Sequence, residues 1–446
     1  MAVDPDRAAA ASGERIRLRP GRQLHGPGSG PGRDRRLLVV VRRPRLGPGR
    51  GPRSRLPRPG QLHGDRLGGG LRRAHQRRIG SRRGARVSDD REGAGEALDV
   101  WTLSDGGQSA GQVAERVAGF VRAASESLDL ALYDVRLPDP VGSTVADELR
   151  AAHERGVSIR LAYNVDSERP PALHPPPETK PEILEELPIE TRAIPGEPDL
   201  MHHKYAVRDG SAVLTGSANW TIDSWTRQEN VMALVENGHV GERYRANFEE
   251  LWSTRQVERS GFVGPDPTRV GEAEVRAWFT PGNGEELSQR IAGSIGGARR
   301  RVRIASPVIT SGPVLATLNE LAGRGRADVA GVVDGPQVAT VFEQWAENGV
   351  SEWKIPLLAK ALTELPFSAK PSTPWRPDGG VHDFMHAKLT VADDTVFLGS
   401  FNLSRSGEQN AENMLEIHDP ALAESLAGFV DEVRARYPAA AGPARG

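Results

Sequence analysis

Apolar positions along the chain keep two rhythms, and the switches between them mark out strands and helices. Leu98–Leu103 and Ser127–Val135 read as strands, the second through Leu128, Leu130 and Leu132. Between them, Ala110–Ala124 sets Val113, Val117, Phe120 and Val121 at helical spacing. Ser143–Arg155 predicts a second helix, stopped at Gly156, and Val157–Tyr163 a third strand. The proline-rich stretch Glu168–Glu182 is expected to be irregular. His203–Val207 and Ala212–Thr215 then predict a hairpin turning at Asp209-Gly210, followed by a strand, Glu229–Glu236, and a closing helix, His239–Trp252.

From Val275 the chain runs the same course again. Strand Val275–Thr280, helix Glu285–Ile295, strand Arg301–Ser306, helix Val314–Leu321 and strand Asp328–Val333 precede a second irregular insertion, Leu365–Asp383. Hairpin Ala387–Leu398, strand Asn413–His418 and helix Ala421–Tyr437 complete it. The alternation predicts an α/β fold, a bilobal pseudo-twofold duplication in which each half is a mixed, mainly parallel sheet flanked by helices. At 446 residues the chain exceeds what one hydrophobic core supports. The expected domains are 93–256 and 272–438, with 257–271 as linker and 439–446 as a disordered tail.

Charge changes the picture at the N-terminus. Residues 1–90 hold 23 Arg, no Lys and 7 acids, or +16, whereas the remainder carries 35 basic and 52 acidic residues, or −17. An Arg-, Gly- and Pro-rich segment with few aliphatics cannot bury enough surface to offset chain entropy, so residues 1–92 are expected to be disordered. Such a segment reads either as a basic arm for phosphate or acidic lipid, or as translation of GC-rich DNA from a wrong start. Cysteine is absent, which excludes disulfide scaffolds and thiolate metal sites. No apolar run near the N-terminus approaches the roughly 20 residues of a membrane span, and Ala2–Ala11 lacks the apolar core of a signal peptide. The expected location is cytoplasmic or peripheral to a membrane, with export left open because the true N-terminus is uncertain.

One polar pattern occurs twice in register. Met201–Asn219 contains His202, Lys204, Asp209, Gly216, Ser217 and Asn219; Met385–Asn402 contains His386, Lys388, Asp393, Gly399, Ser400 and Asn402. Of only six lysines in the chain, two fall at the same place in the two copies. By residue frequencies the expected number of accidental His-x-Lys-x4-Asp matches is on the order of 0.01.

Alternate strand residues share a face, so each His points with its Lys. If the halves meet about a pseudo-twofold axis, one pocket receives two imidazoles, two ammonium groups and two amides. That set suits a tetrahedral phosphate, with charge on the non-bridging oxygens stabilised without a metal. One imidazole can attack phosphorus while the other protonates the leaving oxygen. Asp209 and Asp393 stand at turns, where a structural role is as open as a catalytic one. Ser217 and Ser400 either bind phosphate or orient their neighbours, and Gly216 and Gly399 serve close backbone approach. Glu229 and Glu412, each just before an Asn, are expected to accept the outer imidazole N–H. His203 and His382, without counterparts, read as bystanders.

The repeated HxKx4D and GSxN motifs resemble those of the phospholipase D superfamily, over about residues 95–437. The resemblance implies a bilobal α/β fold, phosphohistidine chemistry, no cofactor and no metal. It carries over His202, Lys204, Asp209, Ser217 and Asn219 as one half-site and His386, Lys388, Asp393, Ser400 and Asn402 as the other, with His202 as nucleophile and His386 as acid/base. Two motifs in one chain imply that no dimer is needed. The expected activity is hydrolysis or transfer of a phospholipid head group. A nuclease or a cardiolipin synthase-like phosphatidyltransferase is the alternative, and a phosphate-binding scaffold without activity the third. The −17 charge disfavours a nucleic acid partner. Trp353, Trp375, Phe367 and Phe384 are candidates for acyl-chain contact or for ordinary packing.

Overall fold

The computed structural model describes residues 96–165, 187–196, 198–374 and 382–442. The expected N-terminal arm 1–92, the insertion 168–182 and Trp375 lie outside the described residues. The first half runs β1 (Ala97–Leu103), α1 (Ala110–Arg122), β2 (Ser127–Leu132), β3 (Val135–Arg136), α2 (Val141–Glu154), β4 (Ser158–Val165) and β5 (Glu190–Pro195). It continues through β6 (Lys204–Arg208), β7 (Ala212–Gly216), β8 (Trp220–Thr221), α3 (Ile222–Thr226), β9 (Asn230–Glu236) and α4 (Gly238–Thr254). The second half adds β10 (Thr268–Val270), β11 (Ala273–Phe279), α5 (Gly284–Gly297), β12 (Arg301–Ala305), α6 (Gly312–Arg324), β13 (Asp328–Asp334), α7 (Gly335–Asn348) and α8 (Ile355–Glu364). β14 (Phe367–Lys370), β15 (Leu389–Ala392), β16 (Thr395–Gly399), α9 (Arg405–Gln409), β17 (Asn413–His418) and α10 (Pro420–Ala435) follow.

Each half builds one large sheet, and the two sheets share a strand order: β1-β9-β7-β6-β2-β4-β5 against β11-β17-β16-β15-β12-β13-β14, with β10 added at the edge of the second. The duplication read from the sequence is therefore a duplication of topology. The expected parallel pairing holds on one side only, β2-β4-β5 and β12-β13-β14. Elsewhere in these two sheets the ladders are antiparallel, because the motif hairpins β6-β7 and β15-β16 run through the middle of each. The second insertion is less irregular than expected, since Phe367–Lys370 pairs in parallel with β13. Thr268–Val270, in the stretch read as a linker, joins the second sheet, and Ala439, read as tail, bridges Ser368.

Alternation explains where the core lies. Along β2, Leu128, Leu130 and Leu132 face a cluster with Val117 and Val121 of α1 and Leu149 of α2, while Ala131 faces the other way. A central cluster joins the halves: Tyr205, Val213 and Val231 pack with Phe279, Leu398 and Leu415, closed by Phe248 of α4 and Val430 of α10. A third cluster packs the second sheet under α5 to α8 through Ile291, Leu318 and Trp345. All the described residues fall in one compact unit. Phe367 is core, Phe384 is buried and Trp353 is exposed. Among the described residues no helix is long and apolar enough to cross a membrane.

Gly216 and Gly399 end β7 and β16 under the neighbouring strand. A Cβ on Gly399 would run into the Asn413 carbonyl, and one on Gly216 into that of Val231. Gly399→Ala should lower unfolding stability in urea by about 1–3 kcal/mol, because the obstacle is backbone of a central strand that cannot yield.

Candidate active site

The two halves meet along the strands that carry the motif histidines. His202 N–H donates to the Ala411 carbonyl at 2.9 Å and Ala411 N–H to Leu200; His386 N–H donates to Glu229 at 3.1 Å and Glu229 N–H to Phe384. These two parallel bridges, Met201 with Ala411 and Met385 with Glu229, cross between the halves. Both imidazoles then line one solvent-open pocket, together with Lys388, Asn219 and Asn402.

His202 is buried, with Nδ1 2.8 Å from both oxygens of Glu412. The carboxylate accepts the Nδ1 proton, which leaves the Nε2 lone pair free. Tyr133 packs edge-on against the ring, centroids 4.7 Å apart. The sequence reading anticipated a carboxylate here; its source is the opposite half.

His386 is anchored differently. Its Nδ1 lies 3.1 Å from Asn230 Oδ1. The Asn230 amide nitrogen is committed to the Ser224 carbonyl, so the group facing the imidazole is an acceptor and Nδ1 carries the proton. Glu229, expected to hold an imidazole, does not. The residue after the bridging Ala411 is Glu412, whereas the residue after the bridging Glu229 is Asn230, so the two crossings differ by one position against the repeat. The Glu229 carboxylate instead accepts from Lys370 Nζ at 2.8 Å and Tyr437 OH at 2.6 Å. One imidazole therefore has a carboxylate behind it and the other a neutral amide.

The lysines are tethered alike, although only Lys388 lines the pocket and Lys204 lies behind it. Lys204 Nζ donates to the His202 carbonyl at 2.7 Å and Lys388 Nζ to the His386 carbonyl at 2.8 Å, which ties each ammonium to its own histidine. Lys204 also sits 4.9 Å over the Tyr133 ring. Asn219 and Asn402 reach the pocket from the far ends of the hairpins, with their buried Oδ1 atoms unpartnered.

Other expected residues stay out of the pocket. Asp209 and Asp393 occupy left-handed turns, φ 50° and 52°. Asp209 accepts from the amides of Ser125, Glu126 and Ser127, and Asp393 from those of Arg299, Arg300 and Arg301. They tie each hairpin to the start of the next strand, β2 or β12. Ser217 and Ser400 are fully buried: Ser217 Oγ donates to Asn230 Oδ1 at 2.7 Å, and Ser400 Oγ accepts from the Asn413 amide, so both orient neighbours instead of facing a ligand. His203 is buried beside Asn413 Oδ1 at 3.3 Å. Asp134, Arg136, Gln228 and His382 line the pocket without having been singled out as ligand contacts. Alternation held the signal for His382, which is in step with Phe384 and His386.

A family model described as "Cardiolipin synthase, PLD-like domain" matches residues 119–252 and again residues 291–433. The chain belongs to the phospholipase D superfamily. Among curated relatives, this phospholipase D-like chain is 29% identical over 129 residues to a mitochondrial cardiolipin hydrolase of Xenopus laevis, covering 29% of this chain and 56% of that one. A human mitochondrial cardiolipin hydrolase is 27% identical over 150 residues, covering 34% and 55%. The chain thus spans about half the length of the curated relatives it matches. The crystal structure of phosphatidylserine synthase from Haemophilus influenzae matches with a TM-score of 0.51 at 14% identity, over 76% of this chain and 86% of that one, a likeness of fold.

Electrostatically, the phospholipase D-like pocket gathers basic side chains whose cationic forms burial disfavours. Burial, then the charges of Lys204, Lys388 and the opposite imidazole, holds His202 well below the usual imidazole range. Burial and the two lysines do the same to His386. Burial brings Lys204 down to about 7 and lowers Lys388 well below its ordinary value. Burial also lifts Glu412 to about 8, against the pull of Lys204. An anion between the two ammonium groups would relieve every one of the cationic penalties.

Lys204 is charged below about pH 7, so anion binding should be strong there and weaken above it. Sulfate, whose charge is constant over this range, should lose affinity by about tenfold per pH unit above 7, read as ligand-induced thermal stabilisation; a flat profile from pH 6 to 8.5 contradicts it. Asp209→Ala and Asp393→Ala should each cost about 1–3 kcal/mol of stability by losing charge-assisted hydrogen bonds, with turnover per folded molecule retained. A large fall in kcat for protein that remains folded would return the aspartates to the chemistry.

Proposed function

We propose that the chain is a phosphodiesterase that hydrolyses a phospholipid head group or transfers it to an alcohol through a phosphohistidine. The observation that carries this reading is the unequal anchoring of two imidazoles on one pocket. His202, with Glu412 behind Nδ1, is the better nucleophile, because the carboxylate stabilises the positive charge the ring acquires on bonding phosphorus. His386, with only an amide behind it, gives up its proton more readily and suits the acid/base role. Lys204, Lys388, Asn219 and Asn402 are the proposed ligands of the non-bridging oxygens.

In the first step the His202 Nε2 lone pair attacks phosphorus as the bond to the head-group oxygen breaks, and the His386 imidazolium gives that oxygen its proton. The phosphate's negative charge favours the protonated His386 that burial and the two lysines oppose. In the second step neutral His386 takes a proton from water or an alcohol. The oxygen attacks phosphorus, and the P–N bond breaks to restore His202. The names of the curated relatives and the family description support a phospholipid substrate, as does the net acidity of the chain beyond residue 90.

The full chain given phosphatidylcholine vesicles and ethanol should form phosphatidylethanol. His202→Ala should abolish it, and Glu412→Gln should lower kcat by about 10²–10⁴. With a p-nitrophenyl diester, whose leaving group needs no acid, His386→Asn should give a burst of one p-nitrophenolate per site and then stall. Nicked plasmid DNA without lipid product would move the substrate to nucleic acid. A burst from His202→Ala would overturn the assignment of the nucleophile.

A further inference from the structure

Two polar side chains on the pocket wall lie outside the repeated motifs and end in buried atoms without partners. His382 and Gln228 are each 4% exposed, and both line the pocket beside His386. The Gln228 amide nitrogen donates to the backbone carbonyl of His382 at 3.4 Å, which turns Oε1 away from that carbonyl and leaves it unpartnered. His382 Nδ1 is unpartnered as well. Its ring is braced edge-on by Phe384, centroids 4.3 Å apart. Burial is the main cause holding His382 down to about 3, against a backbone hydrogen bond with Thr373, so its imidazole is neutral. Two such atoms on one wall are matched by a ligand or by water, since buried polar groups left unpaired are costly.

Their placement says which part of a substrate they would meet. His382, Phe384, His386 and Lys388 alternate with buried Met385 and Ala387, so the first four share the pocket face. The first half has no counterpart, since Pro198 stands at the matching place before His202. The wall therefore belongs to the His386 side, where, on the reading proposed above, the head-group oxygen leaves and the acceptor alcohol arrives. The available atoms also select a chemistry. Gln228 Oε1 only accepts, which disfavours an anionic group. Lys388, on the same pocket face, disfavours a cationic one, whereas the Arg136 charge is paired with Asp134 at 2.7 Å. A neutral hydroxyl can donate to Gln228 Oε1 while exchanging a hydrogen bond with His382 Nδ1.

We infer that His382 and Gln228 form a specificity subsite for a hydroxyl-bearing head group, such as a polyol, on the leaving-group side of the pocket. This rests on the assignment of His386 as acid/base. A buried site that pairs with a substrate hydroxyl discriminates strongly against the analogue lacking it.

The test compares two lipids that differ only in hydroxyls, phosphatidylglycerol and phosphatidyl-1-propanol, in mixed micelles with the full chain. The wild-type kcat/KM should favour the glycerol head group by about tenfold or more. His382→Phe and Gln228→Met should each bring the ratio toward one, and His382→Gln should retain more of it. A ratio is read within each variant, so a change in overall rate does not enter, and Gln228→Met carries the test if His382→Phe fails to fold. Equal kcat/KM for the two lipids in the wild type, or an unchanged ratio in both variants, overturns the subsite and leaves the phosphodiesterase reading standing. Cleavage of neither lipid removes both.

Discussion

The site depends on two short backbone bridges that cross between the halves. Each motif strand donates its histidine N–H to the strand-entry segment of the opposite half, so neither half can position its own imidazole alone. This couples packing to chemistry at the level of the main chain. The central hydrophobic cluster, with Tyr205 and Val231 against Leu398 and Leu415, presses the sheets together, and the bridges convert that pressure into a fixed relation between His202 and His386. Hydrogen bonds of this kind contribute only about 0.5–1.5 kcal/mol each, so their importance is geometric more than energetic.

The one-position difference between the crossings has larger consequences than its size suggests. It puts a carboxylate behind one imidazole and an amide behind the other, within a duplicated framework whose strand order is the same in both halves. Two equal histidines would compete for one role. The displaced Glu229 is not wasted: buried against Lys370 and Tyr437, it ties β14 and the segment just after α10 to the wall behind His386. A buried carboxylate stripped of both partners would be strongly destabilising, so this side network and the bridge register stand together.

Much of this was legible in the residues, and what was not has physical causes. The helices and hairpins appeared because each buries one face, and the repeat was visible because two copies of polar residues in register are hard to obtain by chance. The sheets were read as too parallel because alternation of strand and helix reports crossovers and not the antiparallel hairpins inserted among them. Phe367–Lys370 was hidden by the proline-rich stretch around it. Glu412 could be nominated from its place after the motif, but its service to His202 in place of His386 depends on which strands cross, and nothing local encodes that. For the aspartates the motif left a turn role and a chemical role equally open, because a residue at a fixed distance from a reactive group can be repeated for the turn it makes as well as for reactivity. His382 reads as a bystander because it has no counterpart in the repeat, and repetition does not tell which unrepeated residues line the pocket.

Glu412 and Tyr437 lie late in the chain, and both reach back to partners in or beside the first half. The carboxylate behind the His202 ring stands 210 positions further along the chain, so a first half on its own leaves that imidazole without its anchor.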